Sequence, residues 1–162
     1  MTGLERLLTD SCAVVLIGFG AANQAVAEAL VARGHDVQVF DDRPSVEARA
    51  AADRLGVRLD VGDGHLDASA MADLIVPTPG LPEGHPAFAV ADAAGTPVVS
   101  EFDLAAVWDD RPVLAITGTN GKTTSVELAV AAFAAGGRRA VGVGNTDIPL
   151  SLIHISEPTR PY

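Results

Sequence analysis

The sequence predicts an α/β fold built on a parallel sheet, followed by the incomplete start of a second α/β unit that carries a phosphate-binding loop. Three observations predict it. Short apolar runs alternate with alanine-rich helical spacing as far as Trp108; a glycine turn, Gly18-Phe19-Gly20, closes the first run; and Gly121-Lys122-Thr123 follows a later one. The 162 residues have room for one domain and part of another, at roughly 100–200 residues per domain, so a complete multidomain enzyme is not expected.

Ala13 to Gly18 (AVVLIG) is a β-branched and leucine run of the kind that forms a strand buried on both faces. Ala22 to Ala32 has helical spacing, and Arg33-Gly34-His35 supplies a basic last turn and a glycine stop. Asp36 to Phe40 is then a second strand, which completes a βαβ unit. The pattern repeats with a helix from Val46 to Leu55, a short strand near Val57 to Val61, a helical turn near Ala68 to Ala72 and a strand from Asp73 to Val76. Pro77-Thr-Pro-Gly-Leu-Pro interrupts it. A helix from Pro86 to Ala94, a strand from Pro97 to Ser100 and a helical stretch from Phe102 to Trp108 close a first domain, residues 1–108.

Asp109-Asp110-Arg111-Pro112 is charged and proline-bearing, and reads as a hinge, with Trp108 expected to pack between the units it joins. Beyond it, Val113 to Thr117 is expected as a strand, Gly118 to Lys122 as a loop, Thr123 to Ala135 as a helix and Ala140 to Val143 as another strand, the start of a second domain over residues 109–149. Leu150 to Arg160 resembles the translated read-through of a sequencing adaptor, with Pro161-Tyr162 as index sequence. Residues 150–162 are therefore set aside from the fold, and the native frame is expected to end near Pro149.

Lys and Arg total 11 against 21 Asp and Glu, and the net charge of -10 opposes sequence-independent binding to nucleic acid or to an anionic membrane surface. Compact phosphates stay open to it, because backbone N–H groups at a helix N-terminus bind them whatever the global charge. A single cysteine, Cys12, excludes an intramolecular disulfide, and the start of the chain lacks the basic and apolar segments of a secretory signal. Charged residues, glycine or proline interrupt every apolar run well short of the roughly 20 residues that span a bilayer, so a cytoplasmic protein is expected.

The glycine turn follows a strand and opens a helix, as a dinucleotide-type, Rossmann-like turn does: Gly18 permits the tight turn and Gly20 lets backbone approach a phosphate. Asn23 stands where that fingerprint has glycine or alanine, and Asp41 lies about 20 residues further on, at the end of the second strand, where a carboxylate accepts hydrogen bonds from a ribose or a base. Nucleotide binding and a purely structural turn both remain open on these residues, with an NAD-dependent oxidoreductase or a non-catalytic nucleotide-binding module as the corresponding alternatives. The loop Gly118-Thr119-Asn120-Gly121-Lys122-Thr123-Thr124 is more telling. Its amides are suited to a β-phosphate, Lys122 to the β- and γ-phosphates and the Thr123 hydroxyl to Mg²⁺, although it is shorter than the common G-x-x-x-x-G-K-[ST] form. Thr78 and Gly80 follow a strand, where α/β folds place ligands, but serve equally well as a turn, and so does Asn145. His35, His65 and His85 show no ligand spacing and are expected to be ordinary loop residues, and Cys12 a packing residue.

In this order, VVLIGFG, VFDDR, ADLIVPTPG and AITGTNGKTT resemble the Mur ligase family, in its D-glutamate-adding branch, over residues 13 to about 149. The resemblance implies a first domain that binds the UDP part of UDP-N-acetylmuramoyl-L-alanine, a central one that binds ATP, and a last one that binds D-glutamate. It puts Ala21 and Ala22 against the UDP phosphates, Asp41, Asp42 and Arg43 around the uracil, and Thr78 and Gly80 in the same pocket. Gly118 to Thr124 would hold ATP and Mg²⁺, with Lys122 on the transferred phosphoryl group, and Asn145 would touch the muramoyl substrate. It implies an acyl-phosphate route to the amide. The acid, histidine and lysine that the family uses further along, and the D-glutamate site, are not among these residues, so the chain alone is expected to bind nucleotide without turnover.

Overall fold

The structure, a computed structural model, describes residues 2–62 and 64–144; Asn145 and the segment 150–162 lie outside the described residues. The chain opens with α1 (Gly3–Leu7), started by a capping box in which Thr2 Oγ1 accepts the Glu5 amide and the Glu5 carboxylate accepts the Thr2 amide. It then runs through β1 (Ala13–Ile17), α2 (Ala21–Ala32), β2 (Asp36–Phe40), α3 (Val46–Leu55), β3 (Arg58–Asp60), α4 (His65–Met71), β4 (Leu74–Pro77), α5 (Pro86–Ala94), α6 (Glu101–Trp108) and α7 (Lys122–Ala135). All the pairings are parallel, in the order β3-β2-β1-β4. The strand expected at Pro97 to Ser100 contributes an isolated bridge, Val98 to Ile75, at the open edge of β4.

Alternate residues of β1 face opposite sides of the sheet, which builds two cores. Val14 and Leu16 join Val26 and Leu30 of α2, the alanines of α3 and Leu104 of α6; Val15 and Ile17 join Ile75 and Ala87 and Ala91 of α5. Small residues on these helices let them lie close to the strands. Trp108 belongs to the first core rather than to a junction between units: it packs against that cluster, and the Arg33 guanidinium, at the end of α2, lies 4.1 Å from its ring centroid.

The strands expected at Val113 to Thr117 and Ala140 to Val143 do not form among the described residues. The reason is pairing. A strand exists only through a neighbour's backbone, neither segment joins the four-stranded sheet, and Val113 stays 79% exposed. α7 forms without such help, because alanine-rich sequence and its i to i−4 bonds are local.

At the other end of β1 from its glycine turn, Cys12 and His35 form a buried pair. Cys12 Sγ lies 3.3 Å from His35 Nδ1, which also accepts the Cys12 amide at 3.4 Å. Burial, then the Asp73 carboxylate, push the thiol pKa up, while burial, then the Arg33 charge, push the imidazole pKa down, so both groups are held neutral.

Two predictions follow from this packing. His35 titrates below its ordinary 6.5 in the folded chain, so its contribution to stability is complete above about pH 6.5 and is lost as pH falls through the lowered value. Denaturant midpoints should therefore drop between pH 7 and 5 more steeply in the parent than in His35→Asn, and equal slopes would assign the loss to other groups. Gly18 has φ +81°, and a Cβ there would sit 2.7 Å from Thr78 Cγ2. Gly18→Ala should destabilise by about 2 kcal/mol or more, with Thr78→Ser in that background recovering only the part of the clash made by Cγ2, since Thr78 Cβ would still lie 2.9 Å away.

Candidate functional site

Parallel strands point their carboxyl ends the same way, and β1 is where the connections diverge: the chain moves outward to β2 and β3 on one side and to β4 on the other. A ligand cleft belongs at such a point. One of about 270 Å³ lies there, lined by Ile17, Gly18, Phe40, Asp41, Asp42, Arg43, Thr78, His65, Leu81 and His85.

Hydrogen bonds past the strand ends hold its rim. The Gly18 amide donates to the Phe40 carbonyl and the Thr78 amide to the Ile17 carbonyl, each at 2.7 Å, so the two ladders of β1 run one residue into the loops. The Asp41 carboxylate then ties two loops together, accepting the Phe19 amide at 2.7 Å through Oδ2 and the Arg43 amide at 2.9 Å through Oδ1. Asn23, 1% exposed, uses its Nδ2 to bond the carbonyls of Gly18 at 2.8 Å and of Ile17 and Val76 at 3.3 Å. The residue that departs from the glycine fingerprint thus fastens the turn from below. Its amide group does by hydrogen bonding what a glycine or alanine does by absence of bulk.

Gly20 is the N-cap of α2, and no side chain caps the first amides of that helix. Gly20 and Ala21 are exposed and Ala22 half-buried, beside the cleft but outside its lining. The α2 N-terminus therefore offers uncapped N–H groups and the favourable end of the helix dipole to an anion.

Of the residues singled out in the sequence, Gly18, Asp41, Asp42, Arg43 and Thr78 come together in the cleft. Gly80 does not: it is an exposed residue of the turn in which the Leu81 amide donates to the Thr78 carbonyl at 3.0 Å, and Leu81 faces the cleft instead. Asn145 is outside the described residues. Gly118 to Gly121 form a separate exposed loop and Lys122 to Thr124 the exposed first turn of α7, with Gly121 at φ +75° as its N-cap and Lys122 Nζ donating to the Gly118 carbonyl.

Two of the three histidines read as ordinary loop residues also line the cleft. His65 begins α4 and His85 caps α5, and their ring centroids lie 5.0 Å apart, with the Phe40 ring inclined at 63° to His65 and its centroid 6.1 Å away. Residue spacing along the chain does not show this pairing. The available signal was positional, since each follows the carboxyl end of a strand, β3 or β4.

Comparison with known proteins gives the family. A UDP-N-acetylmuramoylalanine–D-glutamate ligase of Frankia casuarinae is 40% identical over 153 residues, which is 92% of this chain and 32% of that protein. One from Mycolicibacterium vanbaalenii is 37% identical over 161 residues, 95% of this chain and 32% of the other. The chain thus spans about a third of the length of these curated relatives. A pseudomurein peptide ligase type C from Methanothermus fervidus superposes with a TM-score of 0.53 at 27% identity, covering 85% of this chain and 29% of that one. UDP-N-acetylmuramate:L-alanyl-gamma-D-glutamyl-meso-diaminopimelate ligase of Neisseria meningitides has a TM-score of 0.56 at 21% identity, covers 79% and 41%, and shows the same fold. Residues 12–100, more than half of the chain, match the model of the Mur ligase MurD-like N-terminal domain, and the chain belongs to the Mur ligase family through that domain.

Proposed function

We propose that the cleft binds the UDP part of UDP-N-acetylmuramoyl-L-alanine, and that the chain is part of an ATP-dependent ligase that joins D-glutamate to that substrate in peptidoglycan synthesis. The observation that carries this reading is the convergence of Gly18, Asp41, Asp42, Arg43 and Thr78 on one cleft beside an uncapped helix N-terminus, in a chain 40% identical to such a ligase. The base would lie among Asp41, Asp42 and Arg43, and the diphosphate against the amides of Gly20, Ala21 and Ala22, where neither alanine supplies a hydroxyl and the backbone carries the contact. Residues 1–108 form the substrate-binding domain in this reading and residues 109–149 the start of the ATP-binding one, with Asn145 toward the muramoyl group. The cytoplasm, where ATP is available, is the matching compartment.

The loop Gly118, Thr119, Asn120, Gly121, Lys122, Thr123 and Thr124 fits a nucleoside triphosphate: a glycine with positive φ precedes a 14-residue helix whose first amides have no side-chain cap. Lys122, whose ammonium now rests on the Gly118 carbonyl, is within the same loop and would move onto the phosphoryl oxygens as the catalytic cation. Thr123 would hold Mg²⁺, which supplies charge neutralisation on those oxygens. In the reaction so assigned, the substrate carboxylate attacks the γ-phosphorus, releasing ADP and forming an acyl phosphate. The D-glutamate amine then adds to the acyl carbon, and the tetrahedral species expels phosphate as the amine loses its proton.

Calorimetry on the 162-residue chain should show binding of UDP and none of NADH; the reverse result would return the glycine turn to the oxidoreductases. Asp41→Ala should weaken UDP by about tenfold or more, since it frees both loops that the carboxylate ties. Lys122→Ala should weaken ATP and leave UDP untouched, and an equal loss of both would mean that the two sites are one.

A further inference from the structure

Resting on the reading of the cleft given above, we propose that Asn23 and Gln24 are positioning residues for the diphosphate. Their side-chain amides hold the carbonyls of the Gly18-Phe19-Gly20 turn on the α2 side, so that the anion meets the N–H groups of that turn rather than its lone pairs.

A glycine turn binds phosphate only while its peptide planes keep their amides toward the anion, and glycine is the residue least able to hold a plane by itself. Here each plane has a partner. The Gly18 carbonyl accepts from Asn23 Nδ2 at 2.8 Å, and the Phe19 carbonyl from Gln24 Nε2 at 2.9 Å. The Gly20 carbonyl accepts the Gln24 backbone amide at 3.0 Å. A carbonyl only accepts, so in both side chains it is the nitrogen that faces the turn. Asn23 is buried, which sets the Gly18 carbonyl toward the interior.

In a trans peptide the carbonyl and the N–H that follows it point opposite ways, and the described residues contain no cis peptide. The Phe19 amide therefore leaves on the side away from Asn23, where the Asp41 carboxylate takes it at 2.7 Å. By the same geometry the Gly20 amide points away from the Gln24 side chain. Gly20 is exposed, and a Cβ placed on it would lie 3.9 Å from the hydroxyl of Thr78, which lines the cleft. Its N–H thus joins the first amides of α2, which no side chain caps, and Gln24 aims it. Freed from Gln24, the plane between Phe19 and Gly20 can turn over, and a carbonyl lone pair then replaces a donor beside the phosphate. Neither side chain touches the ligand in this assignment; each acts through a backbone plane.

The test is titration of the isotope-labelled 162-residue chain with UDP and with uridine, which has the same base and ribose but no phosphate. UDP should shift the Gly20 amide resonance, and uridine should not. Gln24→Met keeps the length of the side chain and deletes the donor. UDP should then weaken about fivefold, the Gly20 response should shrink, and uridine should bind as it does to the parent. Asn23→Ala should likewise weaken UDP more than uridine. A merely structural role would lower both ligands together.

Full UDP affinity with an unchanged Gly20 shift in Gln24→Met, or in Gln24→Ala should the first variant not fold, overturns the assignment. So does an equal loss of UDP and uridine, or equal affinity of the parent for the two, and each of these outcomes leaves the uridine-nucleotide cleft standing. Binding of neither by the folded parent overturns both.

Discussion

β1 is hydrogen-bonded on both sides, with Val14 opposite Val37 on one neighbour and Leu74 on the other. Because both pairings are parallel, the carboxyl ends of β1, β2 and β4 must arrive together, and the loops that follow them must share one rim. The ladders continue to the Gly18 and Thr78 amides, so the first residues of those loops inherit the register of the sheet. Gly18 is required there by more than its turn: the Thr78 side chain fills the volume that any Cβ would take. Asp41 and Asn23 then close the arrangement by hydrogen-bonding the turn from two directions. The cleft is a consequence of strand pairing, and the backbone turn at its rim is held still by two side chains.

This accounts for the division between the first hundred residues and those after the hinge. In the first part the helices pack on the sheet or on one another, and small residues such as Ala27, Ala48, Ala51, Ala87 and Ala91 are buried at the contacts. After Asp109, whose carboxylate takes the Arg111 amide and guanidinium in an exposed turn, the apolar residues have no such face among the described residues. Leu114 and Leu128 are exposed, and α7 buries no residue fully. An apolar run and an apolar helix face fold as layers only against each other. The phosphate-type loop before α7 survives because it depends on a glycine and the start of one helix.

The sites also differ in how they gather charge. The cleft takes Asp41, Asp42 and Arg43 from the loop after β2 and sets them beside the rings of His65 and His85, which suits recognition of a base through directed hydrogen bonds. The α7 loop offers an ammonium, hydroxyls and amides, which suits a polyphosphate. The chain's net charge of -10 bears on neither, because both act through groups within hydrogen-bond reach.

Sequence alone was enough for the parts of this protein that are local. The helices from Val46 to Leu55 and Pro86 to Ala94 end where an αL glycine, Gly56 or Gly95, stops them, and the strand from Asp36 to Phe40 stands as its pattern indicated. The glycine turn, Asp41 and the Gly-Lys-Thr loop were legible for the same reason, as chemistry confined to a few consecutive residues. Even α1 carried its signal in Thr2 and Glu5, although its five residues are too short for hydrophobic periodicity to show. Tertiary structure decided what depends on a distant partner. Pairing reduced Pro97 to Ser100 to one bridge and left Val113 to Thr117 unpaired, placed Trp108 on Arg33, and exchanged Gly80 for Leu81 in the cleft. It also brought His65, at the start of α4, and His85, just before α5, into ring contact. Periodicity and turn chemistry are read along the chain, whereas pairing and burial are settled by whichever atoms the fold brings together.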